Sequence, residues 1–315
     1  MSSALGSSSL PTVGFVILSH REGPELRTLI DVLNHQYDRP RIVVHHDFGQ
    51  APLNEREFPD VCFVRPSRTT GWGKWGVVEG ALDALALLYG KIGPDWFFLL
   101  STVDYPVMDG REVRSRLAEA NCDAFIDIRP LQADTQAAAA LTGSSNRKLN
   151  HFASQGNVAI KRRFYLSNEY WIPVLRFRPR FRIGRITYRP PREGAHPFRD
   201  GFACFYGDHW FHANRRAAEA LLIDDERMRR LKKHCRRRTQ VDEAFFATVL
   251  ANSPELTLCL DNKRFAEWNG GGAHPALLTE DHAAEALSSG AFFARKISHE
   301  GGCREAIDNA LRTRC

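Results

Sequence analysis

Val13-Gly-Phe-Val-Ile-Leu-Ser19 is an unbroken apolar run, followed by the polar pair His20-Arg21. A run with no polar alternation predicts a strand covered on both faces, as in a parallel sheet flanked by helices. Pro24 suits the first turn of a helix, and Leu26, Leu29, Ile30 and Leu33 then recur at helical spacing. Arg41–His45 and Val61–Val64 read as the second and third strands, the second leading into His46-Asp47-Phe48-Gly49. Trp75 to Tyr89 reads as a long helix with Val78, Leu82, Leu85, Leu87 and Leu88 on its apolar side. Trp96–Leu100 is a further strand running into Ser101-Thr-Val-Asp-Tyr-Pro106, and a helix around 113–120 precedes a strand over 124–128. Strands alternating with helices predict a doubly wound α/β sheet. In such sheets ligands sit beyond the carboxyl ends of the strands, which groups Asp47, the Trp72 region and Asp104.

The alternation breaks between about 130 and 200. Within it, Arg176, Arg178, Arg180, Arg182 and Arg185 interleave with Phe177, Phe181 and Ile183. This pattern fits an edge hairpin with a basic outer face, and equally a loop closing over an anionic substrate. Gly201–Phe205 resumes as a strand, a helix begins near Asn214, and the run Arg227–Arg238 carries eight Lys/Arg. Leu256–Leu260 is the next strand, followed by a glycine-rich loop over 263–275. Thr279 caps a helix through Leu287, Ala291–Ile297 is a closing apolar segment, and 299–315 reads as a polar helical tail.

A hydrophobic share of 43% over 315 residues is enough for one large α/β domain with a sizeable core. The formal net charge of +6 suits an anionic ligand such as a nucleotide diphosphate, but does not separate it from nucleic acid. Seven scattered cysteines with no CxxC pair give little support to a zinc ribbon or a thioredoxin-type centre. Cys62, Cys204 and Cys259 lie in apolar runs and are expected to be buried thiols, which suits a reducing cytosol. The N-terminus has no basic leader region and no apolar run approaches ~18 residues, so neither a signal peptide nor a membrane span is expected.

Asp242 and Glu243 open the helical stretch Thr239–Pro254, whose Phe245, Phe246, Val249 and Leu250 form an apolar face. Asp242 is placed to act as an N-cap or first-turn acid. Glu243 either caps as well or serves as a general base held on a rigid element.

Several motifs, taken in order, resemble the Core-2/I-branching glycosyltransferase family, which includes the peptide O-xylosyltransferases. The resemblance begins with Val44-His-His-Asp47 and Trp72-Gly-Lys-Trp-Gly-Val-Val-Glu79. Phe98-Leu-Leu-Ser-Thr-Val-Asp-Tyr-Pro106 and Gly207-Asp-His-Trp210 follow. It ends with Asp242-Glu-Ala-Phe-Phe246, His274-Pro-Ala-Leu-Leu-Thr279 and Phe292-Phe-Ala-Arg-Lys296. It implies a GT-A-like, Rossmann-type fold with a mostly parallel central sheet flanked by helices. The implied organisation is a flexible 1–12, a single domain over 13–300 and a tail over 301–315. Residues 13–128 would form the nucleotide-binding half and 129–300 the acceptor and catalytic half.

The resemblance also implies inverting, metal-independent transfer of a sugar from a UDP-sugar to an acceptor hydroxyl. N-acetylglucosamine is the first expectation for the sugar and xylose the alternative. No cofactor is implied, and the chain has no Asp-x-Asp metal motif. Arg295 and Lys296 would meet the diphosphate charge in place of a cation, and Glu243 would be the base. Asp47, Arg68, Trp72 and Asp104 complete the implied UDP-sugar site, and Asp208 and Trp210 the acceptor side. His274 is expected to shape its loop. The acceptor would be a glycan, a lipid-linked glycan or a peptide hydroxyl. Animal members of the family carry a membrane anchor, a stem and disulfides, which this sequence is not expected to share. Its Gly73-Lys74-Trp75 replaces the Gly-Gly-Trp of many relatives, and the added cation would face phosphate, acceptor or solvent.

Two other classes compete. A basic protein gripping nucleic acid through Arg176–Arg192 and Arg227–Arg238 would need no catalysis, but the chain shows no helix-turn-helix, zinc or RRM signature and no nucleic-acid partner is expected. A catalytically dead scaffold is opposed by the presence of both Glu243 and Lys296. The location expected is cytoplasmic, with the basic run offering peripheral contact to anionic lipid at the inner face of the membrane.

Overall fold

The computed structural model describes residues 9–21, 23–131, 165–166, 197–268 and 274–313, with the backbone of 181–183 and 186–188. Its first half runs β1 (Val13–Ser19), α1 (Pro24–Gln36), β2 (Arg41–His46), β3 (Val61–Phe63), α2 (Trp75–Tyr89), β4 (Trp96–Ser101), β5 (Asp104–Pro106), α3 (Gly110–Ala118), β6 (Ala124–Phe125) and β7 (Ile128–Pro130). The second half runs β8 (Phe181–Ile183), β9 (Ile186–Tyr188), β10 (Phe205–Gly207), β11 (His212–Asn214), α4 (Arg215–Leu222), α5 (Glu226–Cys235), a 3-10 turn (Val241–Glu243), α6 (Phe245–Ala251), β12 (Leu258–Cys259), β13 (Arg264–Ala266), α7 (Ala283–Ser288), β14 (Phe293–Arg295) and α8 (Gly302–Arg312).

The main sheet has seven strands in the order β12-β6-β11-β4-β1-β2-β3. β1 pairs in parallel with β2 and β4, β2 with β3 and β12 with β6, while β11 runs antiparallel to β4 and β6. Every residue of β1 is buried, as expected for a strand with helices on both faces. Its pleat sends Val16 and Leu18 into one core with α2, α4 and α6, and Val13, Phe15 and Ile17 into the other with α1 and α3. α2 packs close to β2 because Gly80 has no side chain: a Cβ there would lie 2.8 Å from the His45 ring. A second sheet, β13-β14-β5, has Phe293 in the core with α1 and α3, and Tyr105 and Ala294 in a third core with α7 and α8.

The structure corrects several sequence expectations. The strand expected over 124–128 divides, β6 staying in the main sheet and β7 pairing antiparallel with β10. Residues 201–204 are not a strand: the Asn252 amide bonds both the N–H and the carbonyl of Ala203, at 2.9 and 2.8 Å, taking the place of a strand partner. Cys62 is exposed, because β3 is an edge strand, whereas Cys204 is buried and Cys259 half-buried. The tail helix α8 is amphipathic rather than polar, burying Cys303, Ile307 and Leu311 against Tyr105 and Val107. Of the two alternatives for Arg176–Arg192 the structure has the hairpin, β8 and β9 pairing antiparallel in a sheet of their own, while the other residues of that segment lie outside the described residues.

Residues 1–8 of the expected flexible N-terminus, and 269–273 of the glycine-rich loop, lie outside the described residues. Leu10 and Pro11 are held through their carbonyls by Arg114, and Thr12 by Asp95. No helix among the described residues is long and apolar enough to cross a membrane.

Candidate active site

The carboxyl ends of β1, β2 and β4 open into a cleft of about 580 Å³, within the usual range for small-molecule sites. Leu18, Ser19, His45 and Ser101 form its floor, and the Thr70–Trp72 loop, the Asp208–Trp210 segment and the Asp242–Glu243 turn form its walls.

Asp47 directly follows β2 and is 1% exposed. Its carboxylate accepts from Gln50 Nε2 at 2.6 Å, from Thr70 N–H at 2.6 Å, from Thr70 Oγ1 at 2.8 Å and from Gly49 N–H at 3.0 Å. Burial raises its pKa, but these hydrogen bonds outweigh burial and hold it at about 2. Asp47 therefore fastens the wall loop to the sheet, and Gln50 and Thr70, not Asp47, line the cleft. Arg68 Nε donates to Asp83 at 2.6 Å on α2, while the Arg68 backbone N–H donates to His45 Nε2 at 2.8 Å. Trp72 is 55% exposed and meets His274 edge-on at 5.6 Å, so it is a cleft wall and not core.

Asp104 lies opposite Arg295 across the β5–β14 pair. Its carboxylate binds the Arg264 guanidinium, with both side chains fully buried, and accepts from Ser101 N–H at 2.6 Å and Ser101 Oγ at 2.7 Å. Arg295 Nε stands 3.8 Å from the same carboxylate, and its guanidinium lies 4.5 Å from the Trp210 ring centre. Burial alone would raise the Asp104 pKa, but Arg264 and Arg295 bring it below the ordinary value. Asp104 is thus the buried anchor of Arg295, which with Lys296 and Arg21 makes one end of the cleft cationic. Lys296 is held below the usual lysine range by burial, by Arg295 and by Arg21. His274 is depressed by burial and by the same Lys296 and Arg295.

The acids occupy another wall. Val241–Glu243 is a 3-10 turn entered through Gln240, whose φ of 57° is left-handed. Helix α6 starts only at Phe245, with Ala244 in the cap position and no side-chain cap. Of the two roles the sequence allows Asp242, it is therefore a first-turn acid, of the 3-10 turn, and not the N-cap of α6. Both Asp242 and Glu243 line the cleft, with the nearby Tyr206 phenol raised by burial, against the Arg129 charge, and with Glu243 adding to the rise. Asp208 also lines it, with one oxygen accepting from Trp210 N–H at 3.2 Å and the other from Asn262 Nδ2 at 2.9 Å.

The cleft thus gathers Glu243, Trp72, Arg295, Lys296, Asp208 and Trp210. Asp47, Arg68 and Asp104 are not among its described lining residues; Asp47 and Asp104 hold the lining in place from behind. Lys74 is exposed and not among the described lining residues, its side chain lying over Gly71, which does line the cleft. Arg21, Asp127, Tyr206, His209 and Trp268 line it without having been anticipated. Arg21 had a usable signal, a cation directly after a buried strand, whereas His209 had none beyond its place between Asp208 and Trp210. Among the described residues there is no group of three or more His, Cys, Asp or Glu placed to hold a metal ion.

No curated protein matches the chain. The family model described as Core-2/I-Branching enzyme matches residues 13–141 and 167–290, a span that includes the sheet, the Asp47 clamp, the Asp208–Trp210 wall and the Asp242–Glu243 turn, and stops just short of Arg295 and Lys296. With that match over most of its length, on a mostly parallel α/β sheet carrying the cleft at its strand ends, the chain belongs to the Core-2/I-branching family of glycosyltransferases.

Proposed function

We propose that the protein is an inverting, metal-independent transferase that moves a sugar from a UDP-sugar to an acceptor hydroxyl. The observation that carries this reading is the pairing, in one cleft, of a cationic centre (Arg21, Arg295, Lys296) with a carboxylate wall that includes Glu243. The acceptor oxygen attacks the anomeric carbon, its proton passes to Glu243, and the bond from that carbon to the diphosphate oxygen breaks. The developing charge on UDP meets Arg295 and Lys296, whose fixed cations do here what a divalent ion does elsewhere. One displacement with one base inverts the centre, so an α-linked donor gives a β-linked product. The uridine is assigned to the floor near His45, Gln50 and Thr70, and the acceptor, a glycan, lipid-linked glycan or peptide hydroxyl, to the side of Asp208 and Trp210. N-acetylglucosamine is the first donor sugar to test and xylose the second.

A panel of UDP-sugars assayed for UDP release, with and without EDTA, tests the reading together with Glu243→Gln and Lys296→Ala. Release from one donor that survives EDTA and is lost in both variants is the expected result. Release that needs a divalent ion overturns metal independence, and full activity in Glu243→Gln overturns the base.

Peripheral membrane contact is a second element of the proposal, favoured by the exposed Arg227, Arg229, Arg230 and Lys233 of α5. This would place the enzyme at the cytoplasmic face. Co-sedimentation with vesicles should then rise with anionic lipid content; binding indifferent to that content removes this element.

A further inference from the structure

His209 is 4% exposed, lines the cleft and lies between two residues already assigned to its wall. Its Nδ1 is 3.3 Å from the carbonyl oxygen of Asp242, the peptide group that joins Asp242 to Glu243. A carbonyl only accepts, so Nδ1 carries the proton and Nε2 the lone pair. Nε2 is buried with no hydrogen-bond partner among the described residues. Two aromatic rings fix the imidazole plane: Trp210 edge-on at 4.7 Å and Phe246 tilted at 5.4 Å. The same Trp210 carries the Arg295 guanidinium at 4.5 Å. A continuous chain of contacts therefore runs from the cationic centre through Trp210 and His209 to the turn that bears Glu243.

We propose that His209 is a positioning residue: its Nδ1–H holds the Asp242–Glu243 peptide in register with Arg295, so that the base faces the bond being broken. The proposal rests on the reading of Glu243 as base. The ring stays neutral in its role, since burial, reinforced by Arg295 and Arg264, depresses its pKa to about 4 despite the opposing Asp208. A neutral ring keeps the donor at Nδ1 throughout the working pH range, and a misplaced base loses rate steeply with distance.

The test uses three variants of the full chain. Asn places an amide N–H near the position of Nδ1, Gln places one near Nε2, and Leu keeps bulk without a donor. With the donor selected by the UDP-sugar panel, His209→Leu should lower kcat about 100-fold while leaving KM for the donor and the affinity for UDP nearly unchanged. His209→Asn should recover most of that loss and His209→Gln little of it. If His209→Leu fails to fold, the Asn and Gln pair still decides: Asn no better than Gln overturns the proposal. Wild-type kcat in His209→Leu, with Glu243→Gln inactive, removes the positioning role alone. Full turnover in Glu243→Gln removes the base and the positioning role with it.

Discussion

Gly73 and Gln240 meet backbone to backbone: a Cβ on Gly73 would lie 2.9 Å from the Gln240 nitrogen, and the Gly73 carbonyl accepts from Val241 N–H at 3.4 Å. Both residues have left-handed φ, 67° and 57°. The contact joins the Trp72 wall to the turn carrying Glu243, and the two walls are expected to move together. Gly73→Ala would add a side chain to a strained φ with no room for it, at a cost of about 1–3 kcal/mol. Denaturant unfolding should show that loss, with a parallel fall in turnover. Unchanged stability and turnover would mean that the two walls are not coupled here.

The Asp104–Arg264 pair is buried on both sides, and Arg295 leans on the same carboxylate. Asp104→Asn leaves two guanidinium charges sharing a neutral amide, and breaking a buried pair from one side costs about 3–5 kcal/mol. A large drop in Tm is expected, and UDP affinity should fall in whatever fraction still folds, because Arg295 loses its anchor. Near-native Tm would show that Ser101 and solvent compensate for the lost charge.

Asp47 gives a pH dependence whose sign is set by its partners. Its folded pKa of about 2 lies below the unfolded value, so the stability it contributes is fully present above about pH 4 and is lost as pH falls toward 2. The shift corresponds to about 2 kcal/mol. Asp47→Asn should lower stability at neutral pH by that order and flatten the acid limb of the unfolding profile between pH 4 and 2. An acid limb identical to that of the wild type would contradict this.

Burial, then Arg295, then like-charge repulsion from Arg21 keep the Lys296 ammonium below its ordinary pKa. Removing Arg21 should let that pKa rise. The alkaline limb of kcat/KM for the donor should therefore move to higher pH in Arg21→Gln, while KM for the donor increases because one cation is gone. A pH profile measured under donor-limited conditions reads both effects, and an unmoved alkaline limb would dissociate Arg21 from Lys296.

Much of the scaffold was legible along the chain. β1, β2, α2 and β4 follow from continuous apolar runs and 3.6-residue periodicity, because burial on a given face is imposed residue by residue and leaves a local trace. The motifs likewise marked which strand ends carry the site. Burial was misjudged where topology intervened, as at Cys62 on an edge strand and along α8, whose apolar stripe reads as polar until the β13-β14-β5 sheet is there to receive it.

The sequence by itself determined a mostly parallel α/β sheet and the residue types available at its carboxyl end. Only the tertiary structure decided what each polar group does. Asp104 anchors Arg264 from 160 residues away, and Asp47 fastens Thr70 from 23 residues away. His209 reaches the carbonyl of Asp242, 33 residues on, only because β10 and the turn before α6 return to the same wall. Apolar burial depends on a face, which a local pattern encodes. A hydrogen bond or ion pair depends on one partner at about 3 Å, and that partner is supplied by whichever distant loop the completed sheet brings alongside.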